Sequence, residues 1–182
     1  VAVIGNYDYF QDYVFQQDGR MRIRLISTGI DATKGVFAAT LADPSAQAET
    51  ATGTLIAPYR LGVNHDHFFS YRIDFDIDGV DNNFVRQRLQ SVTQPSDATR
   101  QGVWGVTREA VKSEQQAQTV MPVDKPALLT FSSSASINAT GYDTSYQLMF
   151  SNLRPLVTPD EPIFQRSGSL NNHLWVTKYK RD

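Results

Sequence analysis

The chain of 182 residues contains no cysteine, which excludes disulfides, iron–sulfur clusters and thiolate zinc sites. The compartment stays open, because secreted proteins also lack cystine in many cases. Long apolar runs are missing: no window approaches the roughly 20 consecutive apolar residues of a transmembrane helix. No basic stretch followed by an apolar run marks a signal peptide at the start. Neither sign of charge dominates. The 17 basic and 19 acidic residues give a formal charge of -2, so nucleic-acid phosphates and anionic lipid meet no excess of positive potential. Histidine is scarce, with three in the chain, and so is helical periodicity.

What remains is an ordinary globular composition, 41% hydrophobic and 20% charged with 11 Gly and 8 Pro. Its length corresponds to one domain with a normal core. Short segments rich in β-branched and aromatic residues recur between turn signals, the pattern of an all-β sandwich or barrel. Tyr13–Phe15, Gln16–Gly19 and Met21–Ile26 predict a hairpin, since Asp18-Gly19 supplies the positive φ of a tight turn. Further predicted strands are Lys34–Leu41, Gly62–Ile77, Gly102–Lys112, Ala127–Ser132, Thr144–Phe150 and His173–Lys180. Ala42–Gly53, Ser91–Gln101 and Leu153–Asn172 are expected to be surface connections. The first residue is Val1, and Val1–Ile4 already has strand character, so the chain is expected to be a fragment beginning inside a folded element.

Gly62–Gly79 is the most informative stretch. In a strand, alternate side chains share a face, which groups His65, His67, Phe69, Tyr71, Ile73, Phe75 and Ile77 on one side. Two imidazoles at i and i+2 on an otherwise apolar face can converge on one transition metal, with the apolar surround limiting water. The same spacing also suits a polar interruption of a strand. A cupin-type site is excluded, for Phe68-Phe69-Ser70-Tyr71 stands where its acidic ligand would follow the second histidine.

Asp74, Asp76 and Asp78 lie on the opposite face and end in Asp78-Gly79. An EF-hand is excluded by Val85 at the twelfth position. Carboxylates at i and i+2 still offer hard oxygen ligands for calcium, and they equally make a solvated acidic face ending in a turn.

Gly5-Asn6-Tyr7-Asp8-Tyr9 followed by His65-Asp66-His67 resembles the catalytic core of the copper amine oxidases, with Tyr7 and His65 58 residues apart. The likeness extends through Ser27–Ile30, Gly53–Pro58, Asp74–Gly79 and Leu174–Tyr179. It implies a large antiparallel β-sandwich, of which residues 1–182 form a single partial domain, the N-terminal and central part. It further implies that Tyr7 is oxidised to topaquinone, flanked by Asn6 and Asp8, and that His65 and His67 bind copper(II). A peripheral calcium site would take Asp74, the carbonyl of Phe75, and Asp76, with Glu114 a ligand of a second site.

The activity implied is oxidative deamination of primary amines by oxygen to aldehyde, ammonia and hydrogen peroxide, in a homodimeric full-length parent. In that family the catalytic aspartate lies upstream of the quinone tyrosine and the third copper histidine far downstream, so both are expected outside this chain. His173 precedes Leu174-Trp175-Val176-Thr177, where the family has no ligand. With two of three imidazoles, copper should bind more weakly and the isolated chain should be inactive. The rival expectation is a non-catalytic β-sandwich binding module, stabilised by calcium at Asp74, Asp76 and Glu114, with Tyr7 a packed phenol. Asn138-Ala139-Thr140 is a glycan acceptor if the protein is eukaryotic and secreted, and otherwise a chance sequon.

Overall fold

The computed structural model describes residues 1–122, 124–150 and 167–178. It divides into two compact units, Val1–Ser70 and Tyr71–Asp182. Every sheet is antiparallel, and the fold is all-β.

In the first unit, β1 (Ala2–Ile4), β2 (Tyr7–Phe15) and β3 (Met21–Gly29) form a sheet in that order. β2 and β3 are the predicted hairpin, nine residues each and unbroken in register from Tyr7↔Gly29 to Phe15↔Met21. Gly19 has φ 84 in the connection, a conformation that Asp-Gly sequences favour because glycine has no Cβ to clash. A second sheet has the order β4 (Thr33–Gly35), β6 (Arg60–Val63), β5 (Gly53–Ala57), with a single helical turn, α1 (Ala46–Glu49), between β4 and β5 in sequence. Leu61 is fully buried.

In the second unit, β7 (Asn83–Thr93), β8 (Gly102–Ala110), β9 (Leu128–Ile137) and β10 (Asp143–Leu148) form a sheet ordered β10-β9-β7-β8. A short helix, α2 (Glu114–Ala117), follows β8. Alternation along β7 and β9 sends Phe84, Leu129 and Phe131 to one face. There they pack with Ile77, Ala117, Met121 and Ala127. Phe131 is stacked between two rings, 4.3 Å from Phe75 and 5.0 Å from Phe84.

Gly102–Lys112 and Thr144–Phe150 each end two residues early, at Ala110 and Leu148, and three other predicted strands are cut back further. Lys34–Leu41 pairs only as far as Gly35. Beyond it the amides of Phe37 and Ala38 donate to Glu49, and those of Ala39 and Thr40 to Asp43. Side-chain carboxylates thus take donors that a ladder would need. Gly62–Ile77 keeps a ladder only to Val63, in β6. Of His173–Lys180, the described residues make one isolated bridge, Thr119↔Leu174. Tyr179 and Lys180 lie outside the described residues, as does most of the predicted Leu153–Asn172 connection.

Candidate active site

The site is built on β2. At Tyr7 and Tyr9 both edges of this strand are occupied, by β1 through Ile4 and Ala2 and by β3 through Gly29 and Ser27. A further segment can reach these tyrosines only across the face of the sheet. Tyr7 and Tyr9, two residues apart, share one face, and the histidines meet them there. The Tyr7 hydroxyl lies 2.6 Å from Nε2 of His65, and the Tyr9 hydroxyl hydrogen-bonds Nδ1 of His67. Both pairs are separated by 58 residues, so the His65–His67 segment runs in the same direction as β2. Phe69 continues the sequence, with its ring edge-on to Tyr9 at 5.4 Å.

The hydrogen bond to Val63 selects the tautomer of a neutral His65. Its Nδ1 lies 2.8 Å from the carbonyl of Val63, which only accepts, so Nδ1 carries the proton. In the neutral ring this tautomer leaves the lone pair on Nε2, which accepts from Tyr7. The Tyr7 oxygen in turn accepts from the amide of Ala32 at 3.3 Å. The ring centroids of Tyr7, His65 and His67 form a compact triangle, with separations of 5.4, 4.8 and 4.8 Å. Tyr7 is half-buried, while both imidazoles are exposed.

The backbone that carries Tyr7 is held from the side. Ile4 pairs with Tyr7 across the two-residue turn Gly5-Asn6. Asn6 clamps Ile30 twice, its carbonyl accepting from the Ile30 amide at 2.9 Å and its side-chain amide donating to the Ile30 carbonyl. Asn6 is thus committed to the turn. Gly29 has φ 139, and a Cβ there would stand 2.3 Å from the Asn6 oxygen and 2.8 Å from the Tyr7 Cα. Only glycine permits that approach. Asp8 points to the opposite face of β2 from Tyr7 and Tyr9.

The remaining predicted ligands lie in the second unit. Asp74 and Asp76 are exposed on either side of Phe75, whose ring joins the core. The Glu114 carboxylate accepts from the amide of Lys178 at 3.0 Å. His173 accepts at Nδ1 from the amide of Met121 at 3.1 Å. Among the described residues no group of three or more His, Asp or Glu is arranged to hold a metal ion. Two residues that the resemblance includes without assigning them a role are Tyr9 and Gly29. Tyr9 was legible in principle, since it repeats both the i, i+2 spacing and the 58-residue separation of its neighbour.

The donor set suits copper: imidazole nitrogens beside a phenol are borderline ligands that favour it over the hard cations. A family model described as the copper amine oxidase enzyme domain matches residues 1–182. The chain belongs to the copper amine oxidases. Members of this family use copper and topaquinone. The chain is 34% identical to a primary amine oxidase of Klebsiella aerogenes over 98% of its length, covering 24% of that protein. It is 33% identical to the copper-containing amine oxidase gamma 2 of Arabidopsis thaliana, over 98% of this chain and 26% of the relative. The chain therefore spans about a quarter of the length of these curated relatives. A crystal structure of a copper-containing benzylamine oxidase from Hansenula polymorpha superposes on 98% of this chain and 27% of that one with a TM-score of 0.80 at 22% identity, which supports the copper amine oxidase fold.

Proposed function

We propose that the full-length protein oxidises primary amines with molecular oxygen and water to aldehyde, ammonia and hydrogen peroxide, using copper(II) and a topaquinone derived from Tyr7. The observation that carries this reading is the meeting of the Tyr7 hydroxyl with Nε2 of His65 at 2.6 Å, beside His67. Tyr7 is the side chain to be oxidised, and His65 and His67 are the two copper ligands within the chain. When bound, the metal and the quinone supply the redox chemistry that no unmodified side chain offers.

The chain's own residues have defined tasks. Val63 holds His65 in the tautomer whose Nε2 carries no proton, the nitrogen a metal would take from the Tyr7 hydroxyl. The Ala32 amide and the Asn6–Ile30 clamp keep the Tyr7 ring and its backbone in place. Residues 1–182 then form part of one catalytic β-sandwich, and the isolated chain is inactive, because the family's catalytic aspartate and third copper histidine are not supplied by it. The parent is a homodimer. Asp74, the Phe75 carbonyl and Asp76 supply three oxygens to a peripheral calcium ion, with Glu114 serving a second site once it gives up the Lys178 amide.

The deciding experiment adds copper to the metal-free full-length protein in air. A visible quinone band and a phenylhydrazine adduct should appear in wild type and be missing in Tyr7→Phe. A copper-loaded wild-type protein without either signal would overturn the oxidase reading. Calcium titration of Asp76→Asn checks the peripheral site separately.

A further inference from the structure

We infer that Tyr9 is a positioning residue for the metal centre, holding the His67 imidazole through Nδ1 so that Nε2 faces the same ion as Nε2 of His65; this rests on the proposed copper site. An imidazole presents a metal with the nitrogen that its other hydrogen bond leaves over. His65 has this second bond to the Val63 carbonyl at 2.8 Å. His67 has it to the Tyr9 hydroxyl. With Nδ1–H of His67 donating to the phenol oxygen, both rings keep their Nε2 lone pairs, and the rings lie 4.8 Å apart.

The support for Tyr9 is itself rigid. Its backbone is paired on both sides, with Ala2 and with Ser27, and its ring meets the edge of Phe69 at 5.4 Å. Tyr9 is half-buried, whereas His67 is exposed, so the phenol is the fixed partner and the imidazole the one being held. The strand period explains the economy of the arrangement. Residues 7 and 9 face the sheet surface together, and residues 65 and 67 follow at the same 58-residue offset, so one strand presents both the ring to be oxidised and the group that orients a ligand.

The test is an anaerobic copper(II) titration of the metal-free full-length protein, read by affinity and by the nitrogen hyperfine pattern of the copper electron paramagnetic resonance spectrum. Neither readout requires the quinone. Tyr9→Phe, which removes only the oxygen, should weaken copper binding by about 10–100-fold and alter the nitrogen pattern, with its metal-free melting temperature unchanged. Tyr13→Phe is the control, because that hydroxyl on the same strand face is engaged by Gln11 and should leave both readouts at wild-type values. If Tyr9→Phe matches wild type in affinity and spectrum, the positioning role is overturned while the copper site stands. If wild type itself takes up no copper, the copper site and the positioning role fall together. Should Tyr9→Phe melt early, Tyr9→Trp, which keeps an aromatic body but offers no acceptor, must show the same spectral change or the role is overturned.

Discussion

The Tyr7 hydroxyl donates to Nε2 of His65 across 2.6 Å, so the phenol engages the lone pair that a metal ion would take. The two events at this site are therefore separable. Tyr7→Phe frees the lone pair at the cost of one hydrogen bond of about 1 kcal/mol, so copper affinity should stay within about tenfold of wild type while quinone formation is abolished. His65→Ala should lose both. Copper titration alongside phenylhydrazine labelling checks this, and a Tyr7→Phe protein that no longer bound copper would make the phenol a required ligand.

Gly29 sets how closely β3 approaches the Asn6-Tyr7 backbone. A methyl group there would meet the Asn6 oxygen at 2.3 Å and the Tyr7 Cα at 2.8 Å, and its φ of 139 is unfavourable for any residue with a Cβ. Gly29→Ala is expected to destabilise the first unit by about 1–3 kcal/mol, and to slow quinone formation by displacing Tyr7. Denaturant unfolding together with the rate of appearance of the quinone band measures the two effects. Gly35→Ala, where a Cβ has open space, should change neither by a comparable amount.

Local chemistry made half of this legible in advance. The β2–β3 hairpin follows from alternation and an Asp-Gly turn, both short-range signals. The convergence of His65 and His67 with Tyr7 followed only from the likeness to a family, since nothing in the spacing says which face of which strand a distant segment will cross. The predicted strand over Gly62–Ile77 ends early at Val63, yet the two imidazoles still meet the same pair of tyrosines. β7 was hidden altogether, because Arg86 occupies a position facing the core and breaks the apolar alternation.

Acid should loosen the Phe37–Thr40 corner before it melts the sheets. Hydrogen bonds from the amides of Phe37 and Ala38 hold the Glu49 carboxyl below its usual pKa, and those from Thr40 and Ala39 do the same for Asp43. A depressed folded-state pKa means that the stabilisation is fully present above the unfolded value of about 4. It is lost as pH falls through the lower folded values. Amide exchange at Phe37, Ala38, Ala39 and Thr40 should accelerate in that window beyond the intrinsic trend. In Glu49→Gln the step at Phe37 and Ala38 should vanish, while that at Ala39 and Thr40 persists.

Arg86 fastens α2 and the residues just after it to β7, an interior strand of the second unit. Its guanidinium is nearly buried, stacks 5.5 Å from the Phe84 ring, and donates to Thr119 Oγ1 at 3.0 Å and to the carbonyl of Gln116. Glu109 stands 3.7 Å away but is largely exposed, so the ion pair contributes little and the hydrogen bond to the buried Thr119 decides the outcome. Arg86→Met keeps the volume and strands the buried Thr119 hydroxyl, which should cost about 1–3 kcal/mol. Arg86→Lys should recover only part of the loss, since one ammonium cannot reproduce the planar fork. Leu129→Ala, a cavity at a fully buried core position, should cost more, about 2–5 kcal/mol. Urea denaturation of the three variants ranks them, and an Arg86→Met protein as stable as wild type would show that water replaces the guanidinium at no cost.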